Sequence, residues 1–449
     1  MLSTHQTKIS PGRILLSSFM FVIAIGTTLL SLPIAQVKEL PFINVLFTAA
    51  STTCVTGLQV VPLSSFTFFG QFVILCLIQI GGLGLMTLSF FLISLFLDLG
   101  MATQLVAGQM LDFKIWSRIK SFLLLIISIT FGIEFIGAAC LYLPFRATME
   151  TSEAIFHSIF HSVSAFCNAG ISLIDNSPQL YQSHPFILST LSFLVFAGSL
   201  GFIVWYELLE KLKLYIASLF GQRRHILFTL HTKIVLLSST VLVLVGAIVP
   251  WIIEHFYSFK ELSYSKSFFI SFCNSLSLRS AGFHIIDIDK ASLATLVIFL
   301  ILMFIGASPN STGSGVKTTT FVISFATMSA IIQNRNSIEL FGRTIPMDIM
   351  YKAIAIIALS ITWIVSLVLI LLITDSNFTF FQIFFEAISA FSTCGLTTGI
   401  TPHLSVVGKS ALMLSMLVGR IGSLTLILAL RRKKAKALYH YPEERLALS

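Results

Sequence analysis

Long apolar runs alternate along the chain with short mixed segments rich in Ser, Thr, Ala and Gly. The runs Ile14–Pro33, Phe66–Leu97, Phe122–Leu143, Phe186–Leu209, Leu230–Ile253, Leu293–Ile305 and Tyr351–Ile373 are nearly free of charge. A helix needs roughly 20 apolar residues to cross about 30 Å of hydrocarbon, so the pattern predicts several membrane spans. The first run lacks a small-residue cleavage site followed by a soluble domain, and reads as a retained helix, not a signal peptide. Between the runs lie four amphipathic segments of about ten to twelve residues, each ending in Ser, Thr, Ala or Gly. They are too short to span and must enter and leave the bilayer from one side.

Those short segments are related. FTAASTTCVTGLQVV at 47–61, FHSVSAFCNAGISLI at 160–174, FCNSLSLRSAGFHII at 272–286 and FEAISAFSTCGLTTG at 385–399 align on Gly57, Gly170, Gly282 and Gly395, spaced by 113, 112 and 113 residues. A phenylalanine (Phe47, Phe160, Phe272, Phe385) stands ten residues before each glycine, and an apolar residue (Leu58, Ile171, Phe283, Leu396) follows it. Four such periods fill the chain. The repeats are expected at 1–112, 113–225, 226–340 and 341–430, with a tail at 431–449. Each reads as long helix, short pore helix, glycine-bearing turn and second long helix. The fold class is therefore all-α and integral to the membrane, with eight spans and four pore half-helices in pseudo-fourfold symmetry.

Composition agrees: 56% of positions are hydrophobic and 10% charged, more apolar surface than a soluble core of this length hides. The formal charge of +9 changes the picture only through its placement. With a cytoplasmic N-terminus, 19 of the 28 Lys and Arg residues fall on the cytoplasmic side and seven on the other (Lys38, Arg146, Lys260, Lys266, Arg279, Lys290, Lys409). Lys317 and Arg420 lie in apolar surroundings. This is the positive-inside bias of a membrane protein with both termini cytoplasmic, and it removes nucleic acid as the reason for the charge. The six cysteines show no CxxC spacing and suggest neither disulfides nor a zinc site. His157 and His161 stand at i,i+4 without an acidic third ligand, which argues against a metal.

Re-entrant backbone survives at membrane depth only where it lines a water-filled path, because unpaired peptide groups facing lipid cost several kcal/mol each. Four glycine turns around one axis present rings of carbonyl oxygens able to replace the water shell of a monovalent cation. Pore-helix C-termini facing that path add partial negative charge. The candidate ion-liganding residues are Val55, Thr56 and Gly57, then Asn168, Ala169 and Gly170, then Ser280, Ala281 and Gly282, then Thr393, Cys394 and Gly395.

Two further segments carry chemistry. In GASPNSTGSGVKTTTF at 306–321, Gly306, Pro309, Gly313 and Gly315 break a helix that residues 291–305 and 318–332 otherwise predict. With Asn310 and Lys317 they form a polar plug at membrane depth, read as a gate; a kinked helix without gating role is the alternative. A phosphate loop is excluded because Val316 separates Gly315 from Lys317. Arg420, in VGRIGSLT at 418–425, either faces the ion path as an electrostatic barrier or snorkels to the cytoplasmic interface beside Arg431–Lys436. Glu134 is expected to pair with Arg420 or Lys317. These three are the only intramembrane ionisable groups the sequence suggests, too few for an enzyme active site.

With these motifs the chain resembles the Ktr/Trk/HKT superfamily of potassium transporters over essentially its full length, most closely the bacterial Ktr membrane subunits. TCVTGL, FCNAGI, LRSAGF and SAFSTCGLTTG resemble that family's four filter loops, 306–321 its intramembrane gating loop, and 418–425 the segment whose arginine projects beneath the filter. Ser314 and Ser423 depart from it, standing where glycine and proline are common. The resemblance implies K+ as the transported ion, with Na+ as a coupling ion left open and no cofactor in this chain. A glycine at 57, where relatives preferring sodium carry serine, implies potassium, and a single helix before the first loop implies the Ktr subtype. The family also implies a plasma-membrane homodimer on a cytoplasmic nucleotide-binding regulatory ring of the KtrA/TrkA kind. The basic tail 431–445 would lie near that ring or on anionic lipid.

Overall fold

The computed structural model describes residues 11–84, 119–174, 181–219, 228–260, 262–335, 337–423 and 425. The C-terminal tail, the run Arg431–Lys436 and residues 85–97 of the second apolar window lie outside the described residues.

Four long helices begin the four repeats: α1 (Pro11–Leu30), α4 (Ile119–Arg146), α8 (Leu230–Glu254) and α12 (Met347–Thr374). Each contains a stretch long and apolar enough to cross a bilayer. Their outward faces carry large bare hydrophobics, such as Phe135 (76% exposed) and Ile373 (81%). Lipid, not water, suits such a surface.

A pore helix follows each of them: α2 (Phe42–Thr53), α5 (Thr151–Phe166), α9 (Tyr264–Leu278) and α13 (Phe380–Ser392). α5 packs on α4, α9 on α8, α2 on α1 and α13 on α12, so every pore helix is held by its own long helix. Phe47, Phe160 and Phe385 are fully buried, whereas Phe272 is partly exposed. The residues after the filter glycines, Leu58, Ile171, Phe283 and Leu396, are all buried.

In every repeat, not only in the third, the described part of the second helix ends or turns at a break. α3 (Phe68–Leu83) stops at Gly84, and α6 (Pro185–Ser199) turns through 99° into α7 (Phe202–Leu219) around Gly201. α10 (Leu293–Phe304) and α11 (Thr318–Ile332) flank the loop 305–317, within a residue or two of the helices expected there. α14 (Val406–Ile421) ends at Gly422. Gly84, Gly201, Gly315 and Gly422 have φ of 78°, 89°, 78° and 91°, 27 to 33 residues after their filter glycines. A side chain rarely tolerates that backbone. The apolar composition concealed three of these breaks.

Among the described residues the only strands form a hairpin, β1 (Ile338–Leu340) and β2 (Arg343–Ile345), turning through Phe341 and Gly342, both with positive φ. Two positive-φ residues are what a tight two-residue hairpin requires.

Two buried acids fasten long helices to second helices. Asp375, just past α12, accepts from the backbone N–H (2.6 Å) and hydroxyl (3.0 Å) of Ser405, the N-cap of α14, and from Thr374 Oγ1 (2.6 Å). Glu254, the last residue of α8, accepts from the N–H of Ser292 (2.9 Å), the N-cap of α10. Leaving such donors unsatisfied costs about 1–3 kcal/mol each. Asp375→Ala is therefore expected to lower the melting temperature of the protein in detergent. Asp348→Ala, which removes an exposed ion pair to Lys352, should leave it unchanged because such pairs contribute little. Equal melting temperatures for both variants would refute the capping role.

Candidate functional site

Each pore helix ends in a loop that doubles back, and a serine of the helix holds the return. Ser51 Oγ donates to Leu58 O (2.7 Å) and Ser164 Oγ to Ile171 O (2.7 Å). Ser389 Oγ accepts from the N–H of Gly395 (3.2 Å). In the third loop the equivalent serine is one place later: Ser277 Oγ donates to Phe283 O (3.2 Å). The backbone is left-handed at Val55 and Gly57, at Asn168 and Gly170, and at Thr393 and Gly395, but in the third loop at Gly282 and not at Ser280.

The four turns close on one another in chain order. A Cβ built on Gly57 would lie 2.2 Å from the carbonyl oxygen of Ala169, on Gly170 1.7 Å from that of Ala281, on Gly282 1.8 Å from that of Cys394, and on Gly395 2.3 Å from that of Thr56. Each glycine thus rests against the carbonyl that precedes the next glycine, and the fourth loop returns to the first. Any side chain would drive a carbonyl out of place. Thr56 Oγ1, Asn168 Oδ1 and Thr393 Oγ1 are buried here without a protein partner. Dipolar oxygens in this density suit a dehydrated cation.

One face of the ring opens into a cavity of about 610 Å³ whose lining includes Gly57, Gly170, Gly395, Gln59, Ser172, His284 and Thr397. On another side lies the loop 305–317. It is pinned to itself by a parallel bridge between Ile305 and Val316 and by Ala307 N–H to Ser314 O (3.2 Å). Gly306 and Gly313 admit Ser314 O and Ser280 Oγ closer than a Cβ allows. Asn310 O accepts from Phe202 N–H (2.8 Å), and Pro309 O sits over Gly201, which docks the loop on the bend between α6 and α7.

The same loop touches the ring. Asn168 Nδ2 donates to Thr312 Oγ1 (2.5 Å), Thr312 Oγ1 reaches Phe166 O (3.0 Å), and Ser314 N–H donates to Ser280 Oγ (3.2 Å). Arg420 donates to Thr312 O, to Ser314 Oγ (3.1 Å) and to Gly81 O. The guanidinium is therefore partly buried against the loop and tied between it and the end of α3. Gly315 supplies a positive-φ turn, and Lys317 Nζ bends back to Gly313 O (2.7 Å). All nineteen sequence-selected residues lie in these two layers.

Glu134 corrects one expectation. It pairs with neither Arg420 nor Lys317; Gln79 Nε2 donates to its Oε2 (3.1 Å), and Cys167 Sγ lies 3.7 Å from its Oε1. The carboxyl lies beside Cys167 at the end of α5, in contact with a neutral amide and a thiol. His161, buried in α5, uses Nδ1 for His157 O (2.8 Å) and Nε2 for Ser172 Oγ (3.2 Å).

The sequence places Arg279 only among the non-cytoplasmic basic residues and does not single out Glu386, yet both are buried. Arg279 is almost completely buried at the end of α9 and donates to Ser239 Oγ (3.3 Å). Glu386, fully buried in α13, accepts from Thr397, Thr398 and Thr401. Both stand at fixed offsets from a filter glycine, a signal that alignment of the repeats contains.

A broken-helix bundle around a ring of four re-entrant turns defines an integral-membrane ion transporter. The family model for "TrkH: Cation transport protein" matches residues 5–439, and the chain belongs to that family. It is 33% identical over 440 residues to the "Ktr system potassium uptake protein B" of Bacillus subtilis, covering 97% of this chain and 96% of the relative. It is 34% identical to the protein of the same name from Vibrio alginolyticus (98% and 95%). It is 32% identical to the "Potassium/sodium uptake protein NtpJ" of Enterococcus hirae (99% and 98%). In fold it is similar to the crystal structure of the potassium transporter TrkH from Vibrio parahaemolyticus, with a TM-score of 0.72, 18% identity, and coverage of 96% of this chain and 87% of that one. These relatives are ion transporters, and the chain is a multi-pass membrane transporter rather than an enzyme.

Replacing Gly57 or Gly282 with serine is expected to push the facing carbonyl, of Ala169 or Cys394, out of the ring. Discrimination among alkali cations should fall on the order of tenfold, about 1.4 kcal/mol, read by competition in a flux assay. Unaltered discrimination in both variants at normal membrane levels would remove the ring from the ion path.

Proposed function

We propose that this chain is the ion-conducting membrane subunit of a bacterial potassium uptake system. Potassium passes through the ring formed by Gly57, Gly170, Gly282 and Gly395 with their neighbours, and the loop Gly306–Lys317 with Arg420 gates the path. The observation that carries this reading is the closure of four loops in register, each glycine against the next loop's carbonyl. Relatives named as potassium uptake proteins support the choice of ion, and the potassium/sodium name of one of them leaves Na+ as a candidate coupling ion.

The repeats on this reading run 1–112, 113–225, 226–340 and 341–430. The bias of Lys and Arg supports cytoplasmic termini in the plasma membrane. A homodimer seated on a cytoplasmic nucleotide-binding ring of the KtrA/TrkA kind, with the tail 431–449 toward that ring, completes the proposal. Growth at low potassium of cells lacking potassium uptake tests it. Rescue by this chain with a compatible regulatory ring is expected; failure with well-inserted protein would overturn it.

The gate has its own test. Arg420 holds the loop by two hydrogen bonds, ties it to Gly81 of α3 by a third, and adds a fixed positive charge beside a cation path, where water is scarce and screening weak. Arg420→Ala is expected to raise the maximum rate of potassium uptake, with less change in the half-saturating concentration. The charge-conserving Arg420→Lys should raise the rate less. Unchanged rates in both, with normal membrane levels, would make Arg420 an interfacial anchor.

A further inference from the structure

Aligned on the filter glycines, the residue nine places before is Thr48, His161, Cys273 and Glu386 in repeats 1 to 4, and the residue two places after is Gln59, Ser172, His284 and Thr397. All four of the latter line the cavity above the ring. They form a polar lip that a cation meets before the first carbonyls. In two repeats the two positions are joined by a hydrogen bond.

In repeat 2, Nδ1 of buried His161 is engaged with the carbonyl of His157, leaving Nε2 for the hydroxyl of Ser172 at 3.2 Å. In repeat 4, Glu386 is fully buried and receives three donors: the hydroxyl of Thr397 on Oε1, the N–H of Thr398 on Oε1 (3.2 Å) and the hydroxyl of Thr401 on Oε2 (3.1 Å). Thr397 Oγ1 in turn accepts from Gly399 N–H (2.9 Å) and lies 2.8 Å from Thr401 Oγ1. The stretch 397–401 is thus organised around a single carboxyl. Repeats 1 and 3 carry no acid or imidazole at the equivalent place, and Thr48 donates back to its own helix at Asn44 O (2.9 Å). Because the ring closes in the order 1, 2, 3, 4, the braced repeats 2 and 4 face each other across it.

We infer that His161 and Glu386 are positioning residues that fix two opposed members of the outer lip, Ser172 and Thr397, and so set how readily the cation is captured from the vestibule. This rests on the ring being the potassium filter. Capture is a matter of half-saturation, whereas maximum rate is governed by the gate on the other side of the ring. The two should separate.

The test measures potassium uptake kinetics for Glu386→Ala, Glu386→Gln, Thr397→Ala, Ser172→Ala and the double variant Glu386→Ala/Thr397→Ala, normalised to membrane protein, with Gly57→Ser in parallel. Glu386→Ala, Thr397→Ala and Ser172→Ala should each raise the half-saturating potassium concentration about threefold to tenfold, the effect of losing the one hydrogen bond that braces the lip residue. Their maximum rates should hold within about twofold of wild type, since the carbonyl ring is left in place. Glu386→Gln retains an acceptor for Thr397 and Thr398 and should recover part of the loss. The double variant should be no worse than its worse parent, because both act through one contact. Thr397→Ala removes only one hydroxyl at the cavity wall, so it remains readable if Glu386→Ala fails to insert. Unchanged half-saturation in Thr397→Ala, or multiplicative effects in the double variant, would overturn the inference. So would a fall in rate alone, which is what a purely structural role predicts. If those variants are silent while Gly57→Ser loses cation discrimination, the lip fails and the filter stands; loss of neither fails both.

Discussion

Everything in this molecule is arranged around the close approach of glycine Cα atoms to carbonyl oxygens in the ring. Peptide groups cannot be left facing hydrocarbon, yet four stretches of non-helical backbone meet inside the bilayer. Two devices make that tolerable. Serines at the ends of the pore helices hold each return through Leu58, Ile171, Phe283 and Gly395. The absence of Cβ atoms at Gly57, Gly170, Gly282 and Gly395 lets neighbouring loops touch. The long helices α1, α4, α8 and α12 then hold the pore helices in place, and the acids Glu254 and Asp375 clamp two second helices to them.

A second layer depends on the first. The loop 305–317 is not a free plug hanging in a cavity. It is bonded to the second filter turn through Thr312 and Asn168, to the third through Ser314 and Ser280, and to α3 and α14 through Arg420. The loop therefore touches two quarters of the ring. Those contacts are side-chain and backbone hydrogen bonds made by a segment outside any helix, since α10 and α11 end on either side of it.

Much of this was legible in the sequence, for identifiable reasons. The filter turns show because glycine recurs at one register among Ser, Thr and Ala, and the break at 306–317 shows because Pro309 and three glycines interrupt a strong helical pattern. The breaks at Gly84, Gly201 and Gly422 do not show, because a glycine in an apolar run looks the same whether it packs helices closely or turns the chain. Contacts between distant segments were the least legible. Glu134 was assigned a cation by charge alone, but Gln79 reaches it first and neither cation comes within ion-pairing distance. The burial of Glu386 and Arg279 does not show, because nothing local announces that the carboxyl gathers three threonines or that the guanidinium, read only as a non-cytoplasmic charge, meets Ser239 on another helix.

The ring is built from four unequal stretches of one polypeptide, and this has a consequence for how it can change. In an assembly of four identical chains every codon is written once and expressed four times around the axis, so a substitution alters the whole circumference together. Here each quadrant has its own codons. The third already differs, with its serine displaced by one residue, its first position outside the left-handed region and a buried arginine beside it. Divergence of the ring can accordingly proceed one quadrant at a time, through intermediates that keep three quarters of it intact.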